Sequence, residues 1–162
     1  MKYLILGSGS FAGQALFSDF LKKDLEVYGI NRSLPLDSVY WPWIKNQNEY
    51  IRNHWFTFNL NFSLDEMIKK VEEINPDVVI DFMGQGMVAQ SWQDPKNWYE
   101  TNIANKSKLL EALLKLNLKK YIRIGTPEVF GSNKAFVKED KYFNPSTPYS
   151  VSHCAIDMHV RC

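Results

Sequence analysis

Cysteine is scarce in this 162-residue chain, where Cys154 and Cys162 are the only two examples. Two cysteines near one end of the sequence exclude a disulfide framework. Long apolar runs are also absent, and the first one, which ends at Leu6, is too short for a secretory signal or a membrane span. We therefore expect a cytoplasmic protein that has no membrane partner.

Neither sign of charge dominates, because 19 basic residues nearly balance 18 acidic ones and the formal net charge is +1. This balance gives no electrostatic reason to expect nucleic acid or an anionic membrane as a partner. Internal repeats and low-complexity segments are missing as well. The composition, 45% hydrophobic and 23% charged, is typical of one globular domain with a real core.

Aromatic side chains are plentiful, at 14% of the chain, and many of them fall between Val39 and Phe62. One interpretation is a long connection that packs against itself. The other is a surface for a protein partner. The sequence favours the first interpretation and leaves the second open.

Short apolar strands alternate with amphipathic helices along the chain. Because apolar strands of this kind are buried on both faces, the alternation predicts a parallel sheet with helices on both sides. The expected fold class is α/β, with a Rossmann-type doubly wound parallel sheet. Strands are predicted over 2–6, 25–30, 55–60, 78–82 and 121–124, and helices over 11–21, 64–74, 96–117 and from 149 onward, with Ser63 as the N-cap of the second helix.

Three glycines, Gly7, Gly9 and Gly13, lie between the first strand and the first helix. Glycine there allows a positive φ in a tight turn and lets the backbone approach a phosphate closely. The helix N-terminus adds free N–H groups and the positive end of its dipole. This context predicts that the pyrophosphate of a dinucleotide sits on the turn, with Ser10 and Phe11 as the other contacts.

The residue that reads the adenosine ribose is expected at the end of the second strand. An acidic residue there favours NAD, whereas a basic one accommodates the 2′-phosphate of NADP. This chain has Asn31 and Arg32 and no carboxylate, and an arginine can bind a phosphate bidentately. We therefore predict NADP, with NAD as the alternative, and we also predict that Asn59 and Leu60 contact the cofactor.

Several further motifs share the order and spacing of one known family: Tyr28 to Ser33, Gly84-Gln85, Ser91-Trp92 with Pro95, Tyr99 with Asn102, Gly125 to Gly131, and Asn144 to His153. They resemble the extended short-chain dehydrogenase/reductases, and among these the nucleotide-sugar epimerases and dehydratases. The end of the second strand, the Ser-Trp run and the pair Thr126 and Glu128 are most similar to the GDP-mannose 4,6-dehydratase type. The resemblance covers essentially the whole chain. It implies an NAD(P)-dependent enzyme whose residues 1–162 form one NAD(P)-binding Rossmann domain, truncated within the active-site helix and without the C-terminal substrate lobe.

The mechanism that this resemblance implies oxidises the sugar at C4, eliminates water across C5 and C6, and returns hydride to C6. Thr126 would hydrogen-bond the C4 oxygen, and Tyr149 would be the base at that hydroxyl. Glu128 would remove the C5 proton, which the neighbouring 4-keto group makes acidic. Asn102 takes the place of the asparagine that orders the active-site helix and is counted among the cofactor contacts.

Three positions depart from the family pattern. Ser10 replaces the middle glycine of the turn, and a serine is tolerated there if its φ stays negative. Pro127 stands where some dehydratases carry an acid for the leaving hydroxyl, and proline cannot protonate it. His153 replaces a lysine one helical turn after Tyr149. Histidine has an ordinary pKa of about 6.5 and is mostly neutral at pH 7, so its help to the tyrosine would be smaller and pH-dependent, although both side chains are still expected to contact the cofactor.

The leading interpretation is an NADP-dependent nucleotide-sugar 4,6-dehydratase. A 4-epimerase or 4-ketoreductase of the same family needs only Thr126 and Tyr149, and it is the alternative among enzymes. A non-catalytic dinucleotide-binding protein is the alternative outside enzymes, and Ser10 and His153 are its support.

The resemblance also implies partners. One is a nucleotide-diphosphate sugar, and the other is a second copy of the chain, in a homodimer formed through helices 96–117 and 149 onward. The histidines and cysteines of the last helix do not predict a zinc site, because residues 153 and 159 lie on different faces of it. No metal is expected.

Overall fold

The computed structural model describes residues 1–33, 48–133, 136–138 and 142–162. Its described strands form one five-stranded sheet in which every neighbouring pair is parallel and the order is β3-β2-β1-β4-β5. The chain runs outward from β1 in one direction and then continues on its other side, which is the doubly wound order. The predicted Rossmann-type fold is confirmed. The strands are β1 Lys2–Leu6, β2 Glu26–Asn31, β3 Trp55–Thr57, β4 Val78–Asp81 and β5 Lys120–Arg123.

The helices differ in length and in type. Within the described part of the chain, none is both long and apolar enough to cross a membrane. The α-helices are α1 Phe11–Lys22, α2 Asn48–His54, α3 Leu64–Ile74, α4 Pro95–Tyr99, α5 Lys106–Leu114 and α6 Pro148–Arg161, with a π-helical segment Glu100–Asn105 between α4 and α5 and two 3₁₀ turns, Ala89–Trp92 and Pro127–Phe130.

The described residues group into two compact units. The first unit consists of Met1–Met83 and Ala112–Ile124 and contains the whole sheet together with α1, α2 and α3. The second consists of Gly84–Glu111 and Gly125–Cys162 and contains α4, the π-helical segment, both 3₁₀ turns and α6.

The core of the first unit forms where the apolar strands meet α1. Phe17 of α1 packs edge-on against Trp55 of β3, with 5.1 Å between the ring centroids. Burying such large apolar side chains is the main favourable contribution to folding. The cluster at the centre consists of Ile5, Phe17, Val27, Trp55 and Ile80, all at most 6% exposed.

Helix α2 is not predicted by the sequence, and a long-range hydrogen bond explains its position. The Tyr50 hydroxyl accepts from the Val27 N–H at 2.9 Å and donates to the Val27 carbonyl at 3.1 Å. Within the described chain, β3 pairs with β2 only from Gly29 onward. The Tyr50 hydroxyl therefore makes the hydrogen bonds to the Val27 backbone that a neighbouring strand would otherwise make. Burial raises the pKa of Tyr50 and keeps this hydroxyl protonated.

Part of the aromatic-rich stretch between residues 39 and 62 therefore contributes to the hydrophobic core. Trp55 belongs to the central core cluster, and Tyr50 packs against that cluster. Residues 39–47 of that stretch lie outside the described residues.

One predicted boundary is wrong in detail, at the end of β3. The strand ends at Thr57 rather than at residue 60, because the Phe58 N–H makes the last bond to β2, at 2.9 Å from the Asn31 oxygen, and the chain then turns. Ser63 does occupy the N-cap position of α3, but its hydroxyl does not cap the helix. The Ser63 hydroxyl accepts from the Asn59 N–H at 2.7 Å instead.

Asp77, just before β4, ties together the starts of two strands. Its carboxylate accepts from the Lys2 N–H and from the Lys119 ammonium, each at 2.7 Å. These partners, Lys119 first, lower the pKa of Asp77 below its ordinary 3.8. A carboxyl whose folded-state pKa is lowered stabilises the fold above the unfolded pKa, and this stabilisation is lost as the pH falls through the folded value.

We therefore predict that Asp77→Asn lowers the midpoint of thermal unfolding by a few degrees at pH 7, and that the difference shrinks as the pH falls below the ordinary value of 3.8. Thermal unfolding followed by circular dichroism from pH 7 down to acid measures this. Asp19→Asn is the matched control, since its pair with Lys23 is exposed on both sides and is expected to matter less. A pH-independent difference for Asp77→Asn contradicts the prediction.

Candidate active site

The glycine turn, residues 7–13, connects β1 to α1 in the first unit. Gly7 has φ +74°, and a Cβ on it would lie 3.0 Å from the backbone of Phe82 and Met83. The positive φ and the short distance to this backbone mean that any residue larger than glycine would be strained at position 7. The Gly7 N–H donates to the Ile30 carbonyl at 2.8 Å, which fixes the turn over the end of β2.

Ser10 is the N-cap of α1, and it has φ −70° and ψ 161°. The negative φ is the condition under which a serine fits this position. Its hydroxyl accepts from the Gly13 N–H at 3.1 Å, so one of the free donors of the helix start is already used. The N–H groups of Phe11 and Ala12 have no acceptor within the helix, and both residues are exposed.

Asn31 and Arg32 lie at the end of β2, close to the glycine turn. The Asn31 side chain covers Gly9 so closely that a Cβ on Gly9 would overlap it. The Asn31 amide also donates to the Ser33 carbonyl at 3.0 Å. Arg32 is exposed. The structure therefore brings Gly9 and Asn31 together and leaves the arginine accessible.

Asn59 and Leu60 follow β3 and are engaged in local structure. The Asn59 side-chain oxygen accepts from the Asn61 N–H at 2.8 Å, which closes a turn. Leu60 is 4% exposed, so its side chain belongs to the core of the first unit. Any contact of Leu60 with a ligand would come from its backbone.

Thr126 and Glu128 lie on one turn of the second unit. Thr126 is the N-cap of the 3₁₀ turn Pro127–Phe130, and its hydroxyl oxygen accepts from the Glu128 N–H at 3.3 Å. Glu128 is exposed and Thr126 is half-buried. The cap holds the Thr126 hydroxyl at the backbone N–H of Glu128, so both residues belong to one turn.

Tyr149 and His153 lie one turn apart on α6. Their ring centroids are 4.5 Å apart, with the rings tilted by 49°. Helix α6 packs against the 3₁₀ turn Pro127–Phe130 within the second unit. Four predicted catalytic residues, Thr126, Glu128, Tyr149 and His153, are therefore carried by two elements that contact each other.

Asn102 lies on the π-helical segment and is 2% exposed. Its side-chain oxygen accepts from the Gln85 N–H at 2.6 Å, and its amide donates to the Gln85 carbonyl at 3.1 Å and to the Ser152 hydroxyl at 3.0 Å. The side chain thus joins the loop after β4 to α6. Sequence reasoning gives Asn102 an ordering role but does not identify Gln85 or Ser152 as its partners, because neither pairing leaves a local signal.

The two cysteines of the second unit differ in exposure, since Cys154 is buried and Cys162 is exposed. Burial raises the pKa of the Cys154 thiol, and its sulfur lies 3.9 Å from the Met158 sulfur. A thiol that resists deprotonation is a poor metal ligand. Among the residues that the structure describes, no group of three or more histidines, cysteines or carboxylates is placed to hold a metal ion.

A parallel sheet of this order, with a glycine turn after its first strand, defines a Rossmann-type domain. Comparison with known proteins identifies the family within this class of Rossmann-type domains. The chain belongs to the GDP-mannose 4,6 dehydratase family, whose sequence profile matches residues 4–162.

Individual relatives agree with this assignment. The chain is 28% identical over 163 residues to GDP-mannose 4,6-dehydratase from Vibrio cholerae, covering 93% of this chain and 42% of that protein. It is 26% identical over 159 residues to Protein CapI from Staphylococcus aureus, covering 94% of this chain and 46% of that protein. The chain therefore spans less than half the length of these relatives.

Solved structures show the same fold. The UDP-Glc/GlcNAc 4-epimerase from Campylobacter jejuni superposes with a TM-score of 0.85 at 23% identity, over 99% of this chain and 48% of that one. UDP-glucuronic acid 4-epimerase from Bacillus cereus, in complex with UDP-glucuronic acid and NAD, superposes with a TM-score of 0.77 at 27% identity, over 99% of this chain and 52% of that one.

Proposed function

We propose that the natural gene product containing this chain is an NADP-dependent nucleotide-sugar 4,6-dehydratase. The observation that carries the proposal is the capped 3₁₀ turn, which carries Thr126 and Glu128 and packs against α6, the helix that bears Tyr149 in its first turn. A hydrogen-bonding hydroxyl, a carboxylate and a tyrosine are the groups needed to oxidise a sugar at C4 and then to remove the C5 proton.

The glycine turn fits the pyrophosphate of a nicotinamide dinucleotide. Phe11 and Ala12 at the start of α1 are exposed residues whose N–H groups have no acceptor within the helix, and the helix dipole favours an anion there. Arg32 is exposed next to the turn and supports NADP, whereas the Bacillus cereus epimerase was solved with NAD. When bound, the dinucleotide supplies the oxidation at C4 and the hydride returned to C6.

In this proposal, three side chains of the second unit each have a separate role in the reaction. The Thr126 oxygen already accepts a hydrogen bond from the Glu128 N–H, so its own proton remains available for the sugar oxygen at C4. Tyr149 takes the proton of the C4 hydroxyl as oxidation proceeds. The exposed Glu128 carboxylate removes the C5 proton. Because Pro127 beside it offers no acid, the protonated Glu128 then passes this proton to the C6 hydroxyl, which leaves as water.

The experiment is a panel assay on the complete gene product. Each of NADP and NAD is combined with GDP-, UDP- and dTDP-linked sugars, and products are scored by the alkali-developed absorbance of 4-keto-6-deoxy sugars. The proposal expects a signal with at least one sugar and a preference for NADP. Normal cofactor binding without a signal from any sugar overturns it.

A 4-epimerase is the second candidate, and two observations favour it. Pro127 removes a potential acid from the elimination step, and the two solved neighbours described above are 4-epimerases. The same assay separates the candidates, because an epimerase inverts C4 and yields no 6-deoxy product. A protein that only binds the dinucleotide would give neither product.

We also propose that the protein forms a homodimer. It would form through helices 96–117 and 149 onward, and α6 does present partly exposed apolar side chains there, namely Val151, Met158 and Val160. In the structure the first of these predicted helices spans α4, the π-helical segment and α5, and it ends at Leu114. Sedimentation of the gene product would report its oligomeric state.

His153 is expected to limit the rate. A lysine at this position would keep its charge at neutral pH, whereas a histidine loses it as the pH rises through about 6.5. We predict that His153→Lys raises kcat about tenfold at pH 8, because one full charge beside Tyr149 favours the deprotonated tyrosine. The ratio of the two kcat values should rise with pH as the histidine loses its charge.

The measurement is a pH–rate profile of both proteins from pH 5.5 to 8.5. His159→Lys is the matched control, since His159 is on the same helix but exposed. A ratio that stays constant over the whole pH range contradicts this role of the histidine.

A further inference from the structure

The first turn of α6 has an unusual distribution of hydrogen bonds at Tyr149. A helix start leaves its first N–H groups without acceptors. Here Pro148 has no N–H, and the Ser150 N–H donates to the Thr147 hydroxyl at 3.1 Å. The Val151 N–H donates to the Thr147 carbonyl at 2.9 Å. Only the Tyr149 N–H depends on a side chain from elsewhere in the sequence.

That side chain is Ser91, 58 residues earlier in the chain. Its hydroxyl accepts from the Tyr149 N–H at 3.1 Å and donates to the Val88 carbonyl at 2.6 Å. Ser91 is fully buried, with 0% exposure, so solvent does not reach the position of its hydroxyl. The 3₁₀ turn Ala89–Trp92 that carries Ser91 also packs against α6.

The carbonyl of Tyr149 is held as well. It accepts from the Ser152 hydroxyl at 2.7 Å, and that hydroxyl accepts in turn from the Asn102 amide at 3.0 Å. Ser152 is fully buried, and Asn102 is bound twice to the Gln85 backbone. Both polar groups of Tyr149's backbone are therefore bonded to buried serines, each of which is tied to another part of the second unit.

We infer that Ser91 is a positioning residue for Tyr149, which it holds through the backbone N–H. The inference rests on the proposed function, in which the tyrosine hydroxyl takes the proton of the sugar. A buried hydroxyl that both accepts and donates has a fixed geometry, and it fixes where α6 begins. The direction of the Tyr149 side chain follows from that start, because a side chain is oriented by its own backbone.

Breaking the hydrogen bond between the Ser91 hydroxyl and the Tyr149 N–H is expected to destabilise the first turn of α6. Alanine at 91 leaves the Tyr149 N–H without its acceptor at a site that water does not reach, so the first turn of α6 is expected to shift or fray. Small displacements of a catalytic group lower a rate strongly while substrate binding changes little. The effect should therefore appear in kcat and not in KM.

The test compares three variants of the complete gene product. Ser91→Ala is expected to lower kcat about 10- to 100-fold and to change KM for the sugar nucleotide by less than about threefold. Ser91→Thr keeps the hydroxyl and should recover most of the loss. Ser107→Ala is the matched control, because the Ser107 hydroxyl also donates to a carbonyl three residues earlier, that of Ala104, at 2.9 Å.

Amide hydrogen exchange at Tyr149, measured by NMR, provides a readout that needs no turnover. Exchange at this N–H should become faster in Ser91→Ala and remain unchanged in Ser107→Ala. Unchanged exchange overturns the inference, and so does an equal loss of kcat in both alanine variants or a loss that threonine does not recover. If the unmodified protein has no turnover but the exchange result holds, the proposed function fails and the contact of Ser91 with Tyr149 stands.

Discussion

Tyr149→Phe is expected to lower kcat about 10³-fold, within the range that general acid–base catalysis contributes. The substitution removes only the hydroxyl. The ring stays on α6, 4.5 Å from the His153 ring, and the backbone bonds to Ser91 and Ser152 do not involve the side chain. The fold should therefore remain, and the affinity for the dinucleotide should change little, since the substitution removes one hydroxyl among many predicted cofactor contacts and the glycine turn is unaltered.

Steady-state kinetics with the best sugar of the panel measures the rate, and fluorescence titration measures dinucleotide affinity. Tyr142→Phe is the matched control, because Tyr142 is 84% exposed and has no proposed role. Retention of a tenth or more of kcat in Tyr149→Phe would show that another group takes the C4 proton.

The parts of the fold that the sequence predicts well are those with local causes. A five-residue strand, three glycines and an N-terminal serine cap follow each other within 13 residues, so β1, the glycine turn and α1 are read directly from spacing. The parallel sheet follows from the same kind of pattern, because each strand is a short apolar run. The ends of β2 and β4 agree with prediction to within one residue.

Other elements depend on partners that lie far away in the sequence. Helix α2 is held by the Tyr50 hydroxyl on Val27, 23 residues earlier, and no local pattern indicates that contact. The predicted helix 96–117 has the right apolar spacing, but it contains a π-helical segment from Glu100 to Asn105. Asn102, inside that segment, bonds to residues 17 and 50 positions away, and π-helical turns of this kind are frequent at functional sites.

The candidate site also contains residues that local sequence predicts and residues that only the fold brings together. The residue types of Thr126, Glu128 and Tyr149 are recognisable from motifs, and the structure places their elements in contact. The serines that hold the tyrosine are not recognisable, since a buried serine and an exposed one look the same in a single sequence. The sequence identifies Ser91 only as part of the Ser-Trp motif. Its proposed function depends on a contact with Tyr149, 58 residues away, that forms only when the chain folds.

Glu128→Gln is expected to reduce formation of the 4-keto-6-deoxy product about 10³-fold while the sugar is still oxidised at C4. Glutamine keeps the size and the exposure of the side chain but cannot accept the C5 proton. The Thr126 hydroxyl should keep its bond to the backbone N–H of residue 128, since that bond does not involve the side chain. Oxidation would then be visible as reduced cofactor without elimination.

Two measurements made together decide between the enzymatic candidates. One is the absorbance of the 6-deoxy product, and the other is incorporation of solvent deuterium at C5, which requires the C5 proton to be removed. Glu111→Gln is the matched control, because Glu111 is an exposed glutamate on α5. If Glu128→Gln loses both signals and keeps C4 oxidation, Glu128 is the base of an elimination. If the unmodified protein shows neither signal and instead inverts C4, Glu128 does not act as a base at C5 and the chain serves an epimerase, in which Thr126 and Tyr149 suffice.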